Sequence, residues 1–367
     1  MCVNGHRTIW HLGLIIILAT AFVSCRDPDQ KRRVWVQDGV EMVVDPAVPL
    51  SRDHGRVLEL REHLRIEDTG DAFYLKFPAN PKIAPDGSVL LLDRDQLLRF
   101  SPDGMFLGNL CKPGQGPGEF QSLERFVIED GQICAFDGPA QKLVRMALDG
   151  RWIEDRRVED WFETMTKRWI VGSLINLPQA SGVLDDARYS FFCASRSDET
   201  LKKTYVFLGK YYKKMPVAIA WDKFLWAADA EKDVLFVSHA RDYGIEVLDL
   251  NEGRVTRSFR RAYPRVSYVI PDHMKAVYER PNPPPRPEFE SDVIALYLCG
   301  DRLWVRTSTE DPEKGILVDV FNDKGDYLDC FYIKVKGSIL DVSGESLFVK
   351  ETDDDGTISV VLYKTTS

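Results

Sequence analysis

Histidine is scarce in this chain. Six occur in 367 residues, and the four beyond the first 25 positions, His54, His63, His239 and His273, form no HxxH or HExxH pair. Such pairs place two imidazoles on one helix face, so a histidine-rich zinc site of that kind is excluded. The seven cysteines show no CxxC or zinc-like spacing, and five lie beyond Cys25: Cys111, Cys134, Cys193, Cys299 and Cys330. An odd number without a pairing pattern argues against a disulfide scaffold, although one bridge stays open in an oxidising compartment. Cys134, Cys193 and Cys299 sit in apolar runs, where a thiol packs as a small hydrophobe. No G-x-S-x-G elbow occurs, which removes the nucleophile of α/β-hydrolases. Net basic charge is missing too: 48 Lys and Arg stand against 57 Asp and Glu, a net charge of -9. Nucleic-acid binders carry a basic footprint, so no nucleic-acid partner is expected. Absent as well are long amphipathic helical stripes and any apolar run of the roughly 20 residues that a membrane-spanning helix needs.

What is present begins with an export signal. Arg7 supplies positive charge, and Ile9 to Phe22 form an apolar stretch of 14 residues, too short to span a bilayer. It ends in Phe22-Val23-Ser24-Cys25. This resembles the lipobox of bacterial lipoproteins, with Phe22 in place of the usual Leu. The resemblance implies a signal peptide over 1–24, acylation of Cys25, and a cell-envelope protein anchored to a bacterial membrane. An ordinary signal peptide with a coincidental cysteine, or an uncleaved anchor, is the alternative. A polar tether, RDPDQKRR, carries the chain from residue 25 to 33.

From Val34 onward, short β-rich segments of about 4 to 8 residues alternate with Gly, Asp, Asn and Pro turns. Repetition is the stronger signal. DGSVLLLDRDQLLRFSPDGMFLGNL starts at Asp86, and a near copy, DGQICAFDGPAQKLVRMALDGRWI, starts 44 residues later at Asp130. The pairs Asp103-Gly104 and Asp149-Gly150 suit the positive φ of tight hairpins. Four weaker copies follow, beginning at Ala187, Lys232, Asp301 and Gly344. Six strand modules of about 40 to 50 residues are the mark of propeller blades. The segment EDWFETMTKRW, with Trp161, Met165 and Trp169 four apart, reads as a short helix or an aromatic inter-strand loop that packs in the core.

These units, with the connecting GQGPGEF and the opening VWVQDGVEMVVDPAVPL, resemble NHL-type repeats and the six-bladed β-propeller lipoproteins of environmental and gut bacteria. The similarity is clear over about 34–154 and 290–364 and thin between. It implies an all-β, six-bladed propeller of four-stranded antiparallel blades over 34–367. Blades close a ring so that no sheet edge stays exposed. The sixth unit has length for only three strands, so Val34 to Val44 or the segment after it is expected to supply the fourth and close the ring.

CKPGQGPGEF, residues 111–120, invites a phosphate-loop reading. Yet Pro113 and Pro117 each remove a donor, no GK[ST] follows, and Glu119 repels anions. A connector between blades, with Phe120 plugging adjacent sheets, fits better. Aligning the units brings Asp93, Asp137, Ser195, His239, Thr307 and Glu351 to one column at the end of the apolar strand. Asp93, Asp137, His239 and Glu351 are therefore the catalytic candidates, able in principle to hold a divalent cation as in metal-dependent lactonases and lyases of similar shape. The competing reading gives the aspartates an Asx-type role in their own turns and leaves no metal or cofactor. Arg306 and Lys350 precede the column and are binding candidates. So are Lys210, Tyr211 and Tyr212 of the basic, aromatic hairpin LKKTYVFLGKYYKKM; ERPNPPPRPEFE, residues 279–290, reads as an extended insertion. With no catalytic constellation, the expected function is a lipid-anchored, monomeric binding or scaffold module for a protein, peptide or glycan partner. The competing class is a metal-dependent hydrolase or lyase working at the channel mouth.

Overall fold

The computed structural model describes residues 31–68, 70, 72–158, 162–176, 187–196, 203–212, 224–239, 241–283 and 286–365. The chain enters through a hairpin, β1 (Arg33–Gln37) and β2 (Val40–Asp45), followed by β3 (Arg56–Val57) and β4 (Leu60–Glu67). The first blade is β5 (Pro78–Ile83), β6 (Val89–Asp93), β7 (Gln96–Phe100) and β8 (Phe106–Asn109). The second is β9 (Leu123–Glu129), β10 (Gln132–Asp137), β11 (Lys142–Ala147) and β12 (Trp152–Arg157). The third is β13 (Phe162–Met165), β14 (Trp169–Asn176), β15 (Ala187–Ser195) and β16 (Lys203–Tyr212). The fourth is β17 (Phe224–Asp229), β18 (Val234–His239), β19 (Ile245–Asp249) and β20 (Arg254–Arg261). A helix, α1 (Asp272–Tyr278), the only one among the described residues, lies in the connection to the fifth blade. That blade is β21 (Val293–Cys299), β22 (Arg302–Asp311), β23 (Gly315–Asn322) and β24 (Tyr327–Ile333); the sixth is β25 (Ser338–Ser343), β26 (Ser346–Thr352) and β27 (Ile358–Thr365).

The protein is an all-β propeller, and its core lies between blades. Six apolar clusters divide among the six neighbouring pairs. Leu90 and Leu97 of the first blade meet Phe126 and Ile133 of the second, and Phe136 meets Phe162 and Ile170 of the third. The remaining clusters join the third blade to the fourth, the fourth to the fifth, the fifth to the sixth, and the sixth back to the first. Middle strands are therefore covered on both faces and read as unbroken apolar runs rather than alternating ones. In β6, VLLLD, all five residues are buried. Truncating one interface phenylalanine, such as Phe136 or Phe348, would cost about 3–5 kcal/mol.

The Asp-Gly turns work as their sequence suggests. Gly104 donates to the Ser101 carbonyl, Ser101 N–H bonds Met105, and Gly150 repeats the geometry against Ala147. Gly104 has φ +88, and a Cβ there would sit 2.4 Å from Leu64 Cδ1 on β4. The turn thus fixes the chain's left-handed residue and admits the closing strand.

Closure comes from the segment after the hairpin. β4 pairs antiparallel with β27 and becomes the fourth strand of the sixth blade. Val34 to Val44 goes elsewhere: β2 lies parallel to β20 on the outer edge of the fourth blade, with β1 outside it. β3 pairs parallel with β24 of the fifth. The chain wraps two blades before sealing the ring, because the open edge at β27 lies two blades beyond β20. EDWFETMTKRW also differs from expectation. Phe162–Met165 is the inner strand and Trp169 opens the next, joined by a turn in which Lys167 N–H bonds the Ala230 carbonyl. All four residues of Phe162–Met165 are buried, so cover on both faces of a strand, rather than helical spacing, sets its apolar positions. The proline-rich insertion, residues 279–290, follows directly on α1, and its Phe289 bridges back to Ser267. No helix among the described residues is long and apolar enough to cross a membrane.

Candidate functional site

The six innermost strands, β5, β9, β13, β17, β21 and β25, enclose a central channel of about 530 Å³. Five of them carry a β-bulge near their start, with Glu124, Glu163, Ile294 and Leu340 as the extra residues and Asn80-Pro81 in the first blade. Bulges re-aim side chains, and Asn80 takes the left-handed conformation (φ 47) in doing so.

Polar groups on one arc of the wall satisfy one another across blades. Lys82 pairs with Asp341, joining the first blade to the sixth. Arg125 pairs with Glu163, joining the second to the third, and Glu163 also accepts from Ser173 Oγ. Asn80 Nδ2 donates to the Phe126 carbonyl at 2.8 Å. The opposite arc is apolar: Trp226 and Ala227 of β17, Leu296 and Tyr297 of β21. Burial pushes the Tyr297 hydroxyl up to about 12, with Arg306 beside it pulling the other way. None of the charged wall residues was singled out in the sequence. Their signal is a short polar strand just upstream of each apolar one, as in NPK, LERF and FETM.

The column residues stand one strand out from the channel and do not line it. Register explains their common face: Asp93 lies opposite Pro78, Asp137 opposite Leu123, His239 opposite Phe224 and Thr307 opposite Val293, so strand two ends where strand one begins. In the third blade that position is Gly172 opposite Phe162, whereas Ser195 ends the third strand. Asp93, fully buried, accepts from Lys76 N–H at 2.6 Å and Phe77 N–H at 3.0 Å. Asp137, equally buried, accepts from Gln121, Ser122 and Ala140 N–H groups. Both carboxylates hold the incoming inter-blade loop. His239 is buried with its ring edge-on to Phe224 at 5.4 Å. Glu351 accepts from Tyr363 Oη at 2.6 Å and Arg65 Nη2 at 3.0 Å, tying the closing strand to the sixth blade. Among the described residues no three His, Cys, Asp or Glu side chains are placed to hold a metal ion.

Of the binding candidates, Arg306 reaches the channel-lining Tyr297 and lies 3.8 Å from Glu310. Lys350 is half-buried on β26 opposite Ser338. Lys210, Tyr211 and Tyr212 fall on β16, the outer edge of the third blade; their side chains, and Cys25, lie outside the described residues. The five cysteines Cys111, Cys134, Cys193, Cys299 and Cys330 are free thiols, each with its pKa raised by burial.

The glycine loop spends its donors within itself and, through Gly118 N–H, on Asp155 of β12. Gly114 N–H bonds the Phe120 carbonyl, and Gly116 N–H bonds Glu119 Oε2 at 2.8 Å. At Gly114 (φ +151) a Cβ would lie 2.0 Å from that same oxygen. Lys142 Nζ binds the Gly116 carbonyl, and Phe120 is buried between the first two blades. The loop is a connector.

A family described as 6-bladed beta-propeller matches residues 66–220, less than half of the chain. No curated protein matches the chain. Among solved structures, a Bacteroides fragilis protein described as a candidate exported protein aligns with TM-score 0.52 and 14% identity, covering 87% of this chain and 98% of its own. A DUF4221-family protein from Bacteroides vulgatus aligns with TM-score 0.55 and 11% identity, covering 85% and 99%. At such identities the likeness is one of fold.

Proposed function

We propose that this protein is an exported, lipid-anchored, monomeric β-propeller of the cell envelope, a binding module that meets a protein, peptide or glycan partner at the channel mouth. The observation that carries this reading is the two-sided channel wall. Glu163 and Asp341 already hold cationic partners, while Trp226, Leu296 and Tyr297 offer an apolar arc. An apolar arc facing a few fixed polar groups suits recognition. Export is supported by the short apolar stretch ending at Cys25, and the Bacteroides fragilis fold-mate carries a similar description.

The test is a photo-crosslinking amino acid placed at Trp226, with one at exposed Leu107 as control, in cells that make the protein. Adducts formed from position 226 and not from 107 are expected. Equal labelling from both places would remove the channel from the reading. Metal-dependent turnover of a lactone, lost in a folded Glu163→Gln protein, would replace the binding module with an enzyme.

A further inference from the structure

Twelve large apolar side chains are exposed among the described residues, and half of them belong to residues 34–57: Val34, Trp35, Val36, Val48, Leu50 and Val57. This is the stretch that wraps the outer rim of the fourth and fifth blades. Every residue of β1 is exposed, and its outer edge has no partner among the described residues. Soluble proteins blunt such edges, and Val34, Trp35 and Val36, consecutive on this outermost strand, leave apolar side chains exposed on both of its faces. These three follow directly on the basic run Lys31-Arg32-Arg33. Arg32 pairs with Asp326 at 2.7 Å, and Lys31 and Arg33 are exposed.

Chain length says what covers this edge. Only five residues lie between Cys25 and Lys31, a reach of about 20 Å even when fully extended. We propose that the β1–β2 hairpin docks Val34, Trp35 and Val36 into the lipid–water interface of the membrane that holds Cys25. The proposal rests on the lipid-anchored reading. Tryptophan favours that interface, and Lys31 and Arg33 meet anionic headgroups. The remaining acidic surface of this protein, of net charge -9, stays off an anionic bilayer, so contact is confined to the rim. A consequence is orientation. The hairpin lies on the rim, so the channel axis runs along the membrane plane and both mouths open sideways.

The experiment uses the full chain purified from envelopes, reconstituted in phosphatidylethanolamine–phosphatidylglycerol vesicles brominated near the headgroup end of the acyl chains. Mass measurement of the N-terminal peptide reports acylation. The expected result is a loss of tryptophan emission in the wild-type protein that Trp35→Phe lacks, with slowed amide exchange over 33–57 on vesicles. Acylated, vesicle-bound protein with equal quenching in both forms overturns the docking and leaves the anchor standing. Exchange protection that grows with protein concentration without vesicles assigns the edge to a second copy and overturns it too. Unmodified Cys25 in protein that stays off vesicles sinks the anchor, and the docking with it.

Discussion

Arg261 is a buried charge held by one carboxylate and three aromatic rings. Its Nε donates to Asp319 Oδ2 at 2.7 Å, and the two side chains are 4% and 0% exposed. Tyr243 and Tyr327 hydroxyls donate to the same carboxylate, each at 2.6 Å. The guanidinium carbon lies 4.9 to 5.3 Å from the ring centres of Tyr243, Tyr263 and Tyr327. Burial and the Asp319 charge raise both donor hydroxyls far above the tyrosine range. Because Arg261 sits on β20 and Asp319 on β23, this cage clamps the fourth blade to the fifth. Removing one member of a buried pair strands the other, at about 3–5 kcal/mol. Arg261→Met is thus expected to lower stability by that amount in urea unfolding, and Arg261→Met with Asp319→Leu to recover part of it. A loss within 1 kcal/mol for the single change would refute the clamp. Nothing in the sequence joined these residues. They are 58 positions apart, and an arginine in RSFRRAYPR reads as a surface charge.

At the scale of elements, the hairpin's attachment carries a titrating group. Asp45, at the end of β2, is 4% exposed, and burial pushes its carboxyl up to about 6, against weaker pulls from the Tyr327 backbone and Arg32. The folded pKa lies above the unfolded one, so the folded state holds the extra proton between roughly pH 4 and 6. Stability from this group is therefore present at low pH and lost as pH rises through 6. Between pH 5 and 7.5 the wild-type stability in urea unfolding should fall relative to Asp45→Asn, by on the order of 1–2 kcal/mol. Parallel curves for the two proteins would refute it. Elements also differed in legibility. β6 and β10 announced themselves because both faces are covered. The inner strands did not: PANPKI and FETM carry Asn80, Lys82 and Glu163 toward the channel, and such strands lack an apolar pattern.

For the whole molecule the closing strand decides integrity. Leu64 and Ile66 of β4 are buried with Phe348 and Val360 on one side and Phe73 and Phe100 on the other. Without β4, the sixth blade exposes the edge of β27 and the ring stays open. A chain beginning at residue 58 is expected to remain monomeric with one cooperative transition. A chain beginning at residue 68 should lose that transition and associate. Gel filtration and calorimetry separate the two outcomes, and similar melting of both chains would mean that closure matters little.

The sequence by itself determined the kind of architecture: six modules, their turn glycines, the apolar runs that neighbours cover, and the inability of CKPGQGPGEF to cradle phosphate. These follow from local chemistry, such as chain conformation at Asp-Gly, missing donors at proline, and the period of burial. Only the tertiary structure decided that Leu60–Glu67 rather than Val34–Val44 seals the ring, that Ser195 leaves the column, and that Lys82, Arg125, Glu163 and Asp341 share a channel. The reason is that each depends on which edge or wall lies within reach after the blades have turned about the axis. Sequence distance carries no record of that rotation.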